Sequence, residues 1–237
     1  MSDIFRNRID AGRQLATVLE RYSGRSDVVV LALPRGGVPV GYEVARILHC
    51  PLDVLVVRKL GAPHNPELAI GAIATGGALY LNESVIRAIP VTDQQILDTI
   101  ARERVELQRR ELVYRGRRLP AAVEGKTVIV VDDGMATGST MQVCVNALRK
   151  RRPKRIVVAV PVCPAGAETR FASIADDFIY VMQPDWFMGI SQFYADFPQT
   201  SDEEVRACLA AAQDRQRDAA SGDDDRMRAA LPGDGKR

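Results

Sequence analysis

Residues 128–141 of the chain read VIVVDDGMATGSTM, an apolar run that ends in two adjacent aspartates and a loop of small residues. The apolar lead-in predicts a strand buried on both faces, and a helix is predicted to begin at Ser139. In α/β proteins, ligands bind at the carboxyl ends of the strands, and free N–H groups at a helix N-terminus attract anions. The segment therefore offers acceptors for hydroxyl groups or for a metal's hydration shell beside a cradle for phosphate. That combination suits a sugar phosphate with a free diol.

The rest of the sequence alternates between apolar runs and amphipathic stretches. The apolar runs predict strands at residues 28–33, 52–57, 70–75, 78–81, 127–131, 155–160 and 177–181. The amphipathic stretches predict helices at residues 5–22, 38–48, 92–114, 139–150, 165–173 and 201–212. Residues 58–68, which are rich in glycine, proline and polar residues, are predicted to form an exposed loop. This alternation predicts a three-layer α/β fold with a mainly parallel sheet.

Length and composition indicate one globular domain. The chain has 237 residues, of which 46% are hydrophobic and 26% are charged. We expect the domain to occupy residues 1–212, with a polar, disordered tail over residues 213–237, where little can be buried. The formal net charge of +2 gives no general attraction to nucleic acid. The basic residues 149–152 end a predicted helix, where cations complement the helix dipole, so no nucleic-acid partner is expected.

The sequence also predicts a cytoplasmic protein. No apolar run is long enough to span a bilayer, and the N-terminal residues MSDIFR lack the apolar core of a signal peptide. The four cysteines show no metal-ligand spacing and are expected to be reduced thiols.

The stretch that ends in Asp132 and Asp133 resembles the PRPP-binding motif of type I phosphoribosyltransferases, where PRPP is 5-phosphoribosyl 1-pyrophosphate. The resemblance implies that the two aspartates hold the ribose hydroxyls. It also implies Mg²⁺, held mainly by PRPP and water, with both aspartates in the outer shell. The loop that follows would wrap the 5′-phosphate through Met135, Ala136, Thr137, Gly138, Ser139 and Thr140. From the residues alone, a solvated strand end before an N-capped helix remains an alternative.

The resemblance covers about residues 25–200 and implies a Rossmann-like core of five parallel strands, a flexible loop after the second strand and a small hood over the site. The long helix predicted over residues 92–114 is an insertion that the minimal core does not require, and its role is open. Because dimers are common on this fold, a homodimer is expected.

Two basic segments match the places where the family binds pyrophosphate. Residues 34–37 read PRGG between a strand and a helix, where the family has a loop that sometimes contains a cis peptide bond. The resemblance implies that Arg35 is a charged clamp and that Gly36 and Gly37 are backbone donors. Arg58 and Lys59 resemble an Arg-Lys pair of adenine and orotate phosphoribosyltransferases, in which the lysine reaches pyrophosphate. A glycine turn and a solvated basic strand end are the alternatives.

The predicted loop at residues 61–68 would close over the substrate and exclude water. Resembling enzymes carry a catalytic lysine where this chain has Ala62, which is a departure from the pattern. The titratable residues of the loop are His64 and Glu67. His64 is a candidate general acid or pyrophosphate contact, and otherwise a solvated loop histidine.

The acceptor base would contact the segment after the last core strand. Asp185 would accept a hydrogen bond there, and Trp186 and Phe187 would stack on the base, unless both rings pack the hood instead. Ala136 stands where hypoxanthine–guanine enzymes carry an aspartate, whereas adenine and orotate enzymes carry alanine. The resemblance therefore favours an acceptor other than a 6-oxopurine and leaves its identity open.

The resemblance implies a Mg²⁺-dependent enzyme that displaces pyrophosphate from PRPP with a nitrogenous base or another small nucleophile. Arg35, Lys59, Asp132 and Asp133 would be the catalytic residues. The alternative is a regulatory module that binds PRPP or a nucleotide with weak catalysis or none, and the alanine at position 62 keeps it open.

Overall fold

The computed structural model describes residues 4–63 and 65–229, with only the backbone described for residues 67, 219, 220 and 222–229. Within these residues the strands are β1 (Val28–Ala32), β2 (Leu52–Val54), β3 (Val57–Ala62), β4 (Asn65–Ala74), β5 (Ala78–Leu81), β6 (Thr127–Val131), β7 (Arg155–Val162) and β8 (Asp177–Met182). The α-helices are α1 (Arg8–Val18), α2 (Gly37–Ile47), α3 (Glu83–Ala88), α4 (Asp93–Arg115), α5 (Ser139–Arg149), α6 (Ala167–Phe171) and α7 (Asp202–Ala229).

The core is a five-stranded sheet in the order β2-β1-β6-β7-β8, and all four pairings are parallel. Every residue of β1 and β6 is buried, as the continuous apolar runs predict. Alternate residues along these strands enter two separate hydrophobic clusters. One cluster includes residues of α1, α2, α4 and α7, and the other includes residues of α5 and α6. The three-layer parallel fold is therefore confirmed.

The prediction of an exposed loop at residues 58–68 is wrong, because β3 and β4 form an antiparallel hairpin there. With β5 they make a second, three-stranded sheet. The pairing buries Leu60 and Ala62, whose apolar side chains the turn-forming residues around them obscure in the sequence. Pro63 and Pro66 lie beside the turn between the two strands. His64 lies outside the described residues, and the predicted strand at residues 52–57 is divided between β2 and β3.

The long helix α4 begins and ends where its capping residues predict. The N–H of Gln95 donates to Thr92 Oγ1 at 3.3 Å, and the N–H of Thr92 donates to Gln95 Oε1 at 2.9 Å, which completes a capping box. At the other end, Gly116 takes φ 62°, a left-handed conformation that glycine adopts without strain. The short helix α3 was not predicted, although Asn82 caps it by accepting from the N–H of Val85.

The terminal helix α7 begins at the predicted capping box, where the N–H of Glu204 donates to Ser201 Oγ at 3.1 Å. It continues to Ala229, past the predicted end at Ala212, so the expected disorder of residues 213–229 differs from the structure. Alanine, arginine and glutamine favour helix in this segment even though few of its side chains can be buried. The boundary of the domain stays a prediction. Among the described residues, no helix has the length and apolar character needed to cross a bilayer.

Candidate functional site

The acidic pair lies at the carboxyl end of β6, the middle strand of the parallel sheet. Asp133 is only 8% exposed, and Asp132 is partly buried. The N–H of Asp133 donates to Asp132 Oδ1 at 2.9 Å, which fixes the first carboxylate. Burial raises the pKa of Asp132 well above its usual value, and the neighbouring charge of Asp133 raises it further. A ligand that brings hydroxyl donors or positive charge to this pair would favour its ionised form.

Two residues that were not predicted as members of the site, Arg8 and Tyr194, hold Asp133 in place. Arg8, at the start of α1, donates from Nε to Asp133 Oδ2 at 2.8 Å. Burial raises the pKa of Asp133, and the Arg8 guanidinium opposes that rise. The hydroxyl of Tyr194 donates to the Asp133 carbonyl oxygen at 2.5 Å. Both contacts join segments far apart in the chain, so no local sequence signal could have revealed them.

The predicted phosphate loop presents exposed hydroxyls and an open helix N-terminus. Thr137, Ser139 and Thr140 are exposed, and Gly138 takes φ 74° before the first turn of α5. The N–H of Ser139 donates to Thr137 Oγ1 at 3.4 Å, whereas Gly138, at the N-cap position, has no side chain to cap the other N–H groups of that turn. Free amides beside hydroxyls at a helix N-terminus are suited to bind a phosphate.

One predicted member of that loop has a different role. The N–H of Met135 donates to the carbonyl oxygen of Val162 at 2.9 Å, and the Met135 side chain is buried. Because its amide and side chain are both occupied, Met135 is corrected from a phosphate-binding to a structural residue. The available cradle is therefore residues 136–140.

The segment at residues 34–37 lies directly against the aspartates. A Cβ atom on Gly36 would overlap the Asp133 carboxylate, and one on Gly37 would lie 2.8 Å from the Cα of Asp132. Only glycine permits this approach. The structure therefore brings together the two motifs, which are about a hundred residues apart in the sequence.

The same segment contains the cis peptide bond, between Pro34 and Arg35. The N–H of Gly37 donates to the Leu33 carbonyl oxygen at 3.1 Å, so the prediction that Gly37 is a free backbone donor is corrected. The Arg35 guanidinium lies 3.9 Å from Asp202 and is partly exposed. Gly36 remains the backbone donor candidate, and Arg35 the side-chain candidate.

The predicted Arg-Lys pair lies on β3 rather than in a loop. Arg58 donates from Nε to Glu103 of α4 at 2.9 Å. Both Arg58 and Lys59 line a cavity of about 530 Å³ between the hairpin and α4. Lys59 also lines a second cavity beside Ser139 and Thr140, at the start of α5. Lys59 is therefore near the phosphate cradle, whereas Arg58 is held by α4.

The predicted acceptor segment leaves Trp186 free to stack and commits Phe187 to packing. The side chain of Trp186 is 77% exposed, and Asp185 is also exposed. The Phe187 ring stacks on Phe193 with centroids 5.3 Å apart, which supports the alternative that this ring packs the hood. A Cβ atom on Gly134 would lie 2.6 Å from the side chain of Ile190, which follows this segment in the chain. The segment therefore lies close to the loop that begins after Asp133.

Among the described residues, no group of three or more His, Cys, Asp or Glu side chains could hold a metal ion. Two adjacent carboxylates fit a cation that is carried mainly by substrate oxygens and water. The side chain of Glu67 and all of His64 lie outside the described residues, so their predicted roles remain predictions.

A family model described as "Phosphoribosyl transferase domain" matches residues 2–198. The protein named "Putative phosphoribosyl transferase Rv0571c" of Mycobacterium tuberculosis is 46% identical over 207 residues, which are 87% of this chain and 46% of that protein. The matched part of the chain thus spans about half the length of these curated relatives.

Two further similarities bear on fold and function. The crystal structure of TT1426 from Thermus thermophilus superposes with a TM-score of 0.77 at 42% identity, covering 87% of this chain and 97% of that one. The "Bifunctional protein PyrR" of Brevibacillus brevis is 33% identical over 105 residues, which are 40% of this chain and 57% of that protein.

Proposed function

The chain belongs to the phosphoribosyl transferase family, and from that premise we propose that it is a Mg²⁺-dependent enzyme that transfers phosphoribose from PRPP to a nitrogenous base or another small nucleophile. The observation that carries the proposal is the close approach of Gly36 to the Asp133 carboxylate. A pyrophosphate loop and a ribose-binding acidic pair have to meet if both hold one PRPP molecule.

Different residues of the site would bind different parts of PRPP. Asp132 would accept from the ribose hydroxyls, because only one of its oxygens accepts a hydrogen bond from the described residues. Asp133, held by Arg8, would fix the other side of the diol. The exposed hydroxyls of residues 136–140 and the backbone amides of the same loop would bind the 5′-phosphate.

The reaction would break the bond between C1 of the ribose and the pyrophosphate oxygen. The electron pair leaves with pyrophosphate, a nitrogen lone pair forms the new bond to C1, and the nitrogen then releases its proton. When bound with the substrate, Mg²⁺ supplies neutralisation of the charge that builds on the leaving group. Arg35 and Lys59 would add positive charge there, and the aspartates would steady the cationic ring.

The acceptor would bind beside Trp186, whose exposed ring is available to stack on a planar base. Ala136 is exposed and has no group that can accept a proton, so it supports an acceptor other than a 6-oxopurine. A cytoplasmic location and a homodimer remain parts of the proposal.

The second candidate function is a regulatory module that binds PRPP or a nucleotide. It is favoured by Ala62, which is 5% exposed within β3 at the place where resembling enzymes carry a catalytic lysine. The partial match to a bifunctional protein is compatible with it. The two functions differ in turnover, because a binding module would hold PRPP without releasing pyrophosphate.

The test is a pyrophosphate-release assay with PRPP and Mg²⁺ across a panel of purine, pyrimidine and other nitrogen nucleophiles. We expect release that depends on one class of acceptor and that falls at least tenfold in Arg35→Ala. Asp93→Asn, an exposed substitution at the start of α4, is the control and should react like the wild type. PRPP binding without release for any acceptor would favour the regulatory module, and activity with guanine well above adenine would contradict the inference from Ala136.

A further inference from the structure

A further basic cavity, different from the two described above, lies beside the predicted pyrophosphate loop at residues 34–37. It has a volume of about 240 Å³ and is bounded by the loop, the long helix α4 and the first turn of α7. Three guanidinium groups line it, from Arg35 of the loop and from Arg109 and Arg110 of α4. The other polar residues in its wall are Tyr114 and Asp202. The cavity thus joins the inserted helix, which had no assigned role, to the proposed active site.

These guanidinium groups have N–H donors that the other described residues do not use. Arg109 uses Nε and Nη2 on Glu106, and Arg110 uses only Nε on the same carboxylate. Arg35 lies 3.9 Å from Asp202, which is an ion pair but too long for a hydrogen bond. Within the part of the chain that the structure describes, the other N–H groups of these three side chains donate to no protein acceptor. Guanidinium groups in this condition are suited to bind phosphate oxygens.

The helix that carries them is firmly attached to the core. Arg115, which is buried, donates to both oxygens of Asp53 at 2.9 and 3.1 Å, and to the carbonyl oxygen of Val54 at 2.6 Å. The hydroxyl of Tyr114 donates to Asp202 at 3.0 Å and ties α4 to α7. Arg110 is therefore presented on a fixed surface rather than on a free helix.

We propose that this cavity binds the diphosphate group of PRPP, and that Arg109 and Arg110 of α4 act with Arg35 as binding residues for the leaving group. The inference rests on the proposed function. A diphosphate is long enough to contact both the loop and α4, and it is the part of PRPP that carries the most charge. Because Gly36 abuts Asp133, an anion beside Arg35 would lie next to the place proposed for the ribose.

The test uses calorimetric titration of the full chain with three ligands: inorganic pyrophosphate with Mg²⁺, PRPP with Mg²⁺, and ribose 5-phosphate. Arg109→Ala combined with Arg110→Ala should weaken pyrophosphate and PRPP about tenfold or more and leave ribose 5-phosphate unchanged. Arg104→Ala is the matched control, because Arg104 is exposed on the same helix and is not among the residues that line the cavity. It should bind all three ligands like the wild type.

A second variant should change affinity in the opposite direction. Glu106→Gln removes the carboxylate that now occupies donors of Arg109 and Arg110, so pyrophosphate should bind several-fold more tightly. A purely structural role for Glu106 would not strengthen anion binding.

The outcomes separate the two proposals. Pyrophosphate binding that is unchanged in the double variant, or absent in the wild type, overturns the inference about α4. An equal loss for ribose 5-phosphate also overturns it. If the wild type binds pyrophosphate through Arg109 and Arg110 but binds neither PRPP nor ribose 5-phosphate, the anion site stands and the proposed function fails.

Discussion

Replacing Arg8 with methionine should destabilise the protein by an amount that depends on pH. The Arg8 side chain is 11% exposed and the Asp133 side chain 12%, so this ion pair is largely shielded from water. Removing one partner of a buried pair typically costs about 3–5 kcal/mol, because the other charge is left uncompensated. Methionine keeps the apolar stem of Arg8, so most of the cost should come from the lost charge.

The pH dependence follows from the raised pKa of Asp133. Burial already raises this pKa, and removing the opposing Arg8 charge should raise it further. Between the ordinary aspartate pKa of about 3.9 and the raised native value, the folded variant keeps a proton that the unfolded chain has released. Stability therefore falls as the pH rises through this window, and the window is wider in the variant than in the wild type.

At low pH the loss should be small. Near pH 3, about one unit below the ordinary aspartate pKa, Asp133 is largely protonated because its pKa is raised, so the variant mainly loses the Arg8 hydrogen bond to the Pro198 carbonyl oxygen and the contact with the Phe197 ring. Together these contribute about 1–3 kcal/mol. Near pH 8 the difference from the wild type should reach about 3–5 kcal/mol.

The assay is urea unfolding of wild type and variant at several pH values. Arg6→Met is the control, because Arg6 forms an exposed pair with Asp10 in the same N-terminal segment and should lose less than about 1 kcal/mol. Repeating Arg8→Met in an Asp133→Asn background should remove most of the pH dependence. A loss that is below about 1 kcal/mol and constant with pH would refute this account of the pair.

Three further substitutions have expected outcomes. Gly36→Ala places a Cβ atom where the Asp133 carboxylate lies, so the PRPP affinity measured by titration should fall at least tenfold. An unchanged affinity would contradict the proposal that residues 34–37 and the aspartate pair bind one PRPP molecule together. Arg115→Met leaves Asp53 buried without its cation and should cost about 3–5 kcal/mol in urea unfolding; a cost below about 1 kcal/mol would show that Asp53 is compensated in another way. Trp186→Ala should change stability by no more than about 0.5 kcal/mol, because the ring is 77% exposed, yet it should raise the KM of the acceptor without raising that of PRPP.

The regular elements of the parallel sheet could be read from the sequence because each depends on local patterns. Residues 127–131 form β6 as predicted, since a run of five buried residues between turn signals admits few other structures. The capping box at Thr92 fixed the start of α4 in the same way. The hairpin of β3 and β4 could not be predicted, because its prolines and glycine are typical of a loop, and only the pairing of the two strands in the folded chain makes the segment a hairpin.

The site was predictable in its motifs but not in its hydrogen bonds. The aspartates, the loop after them and the PRGG segment were identified from residue types, and the structure brings them together. Met135 and Gly37 were expected to offer free amides, and each donates to a carbonyl oxygen that only the folded chain supplies. Arg8 was missed because its partner lies 125 residues away. Local sequence patterns carry no information about such pairs.

The central claim is that Asp132 and Asp133 bind the ribose hydroxyls of PRPP. Asparagine keeps the size of each side chain but leaves Arg8 without its carboxylate partner, so the double variant should be less stable than the wild type and its folding has to be measured. The direct measurement is therefore calorimetric titration of PRPP with Mg²⁺ into the wild type and into the Asp132→Asn, Asp133→Asn double variant, with urea unfolding of both. We predict binding to the wild type and none that is measurable to a fully folded double variant. Equal PRPP affinity in the two proteins would contradict the claim.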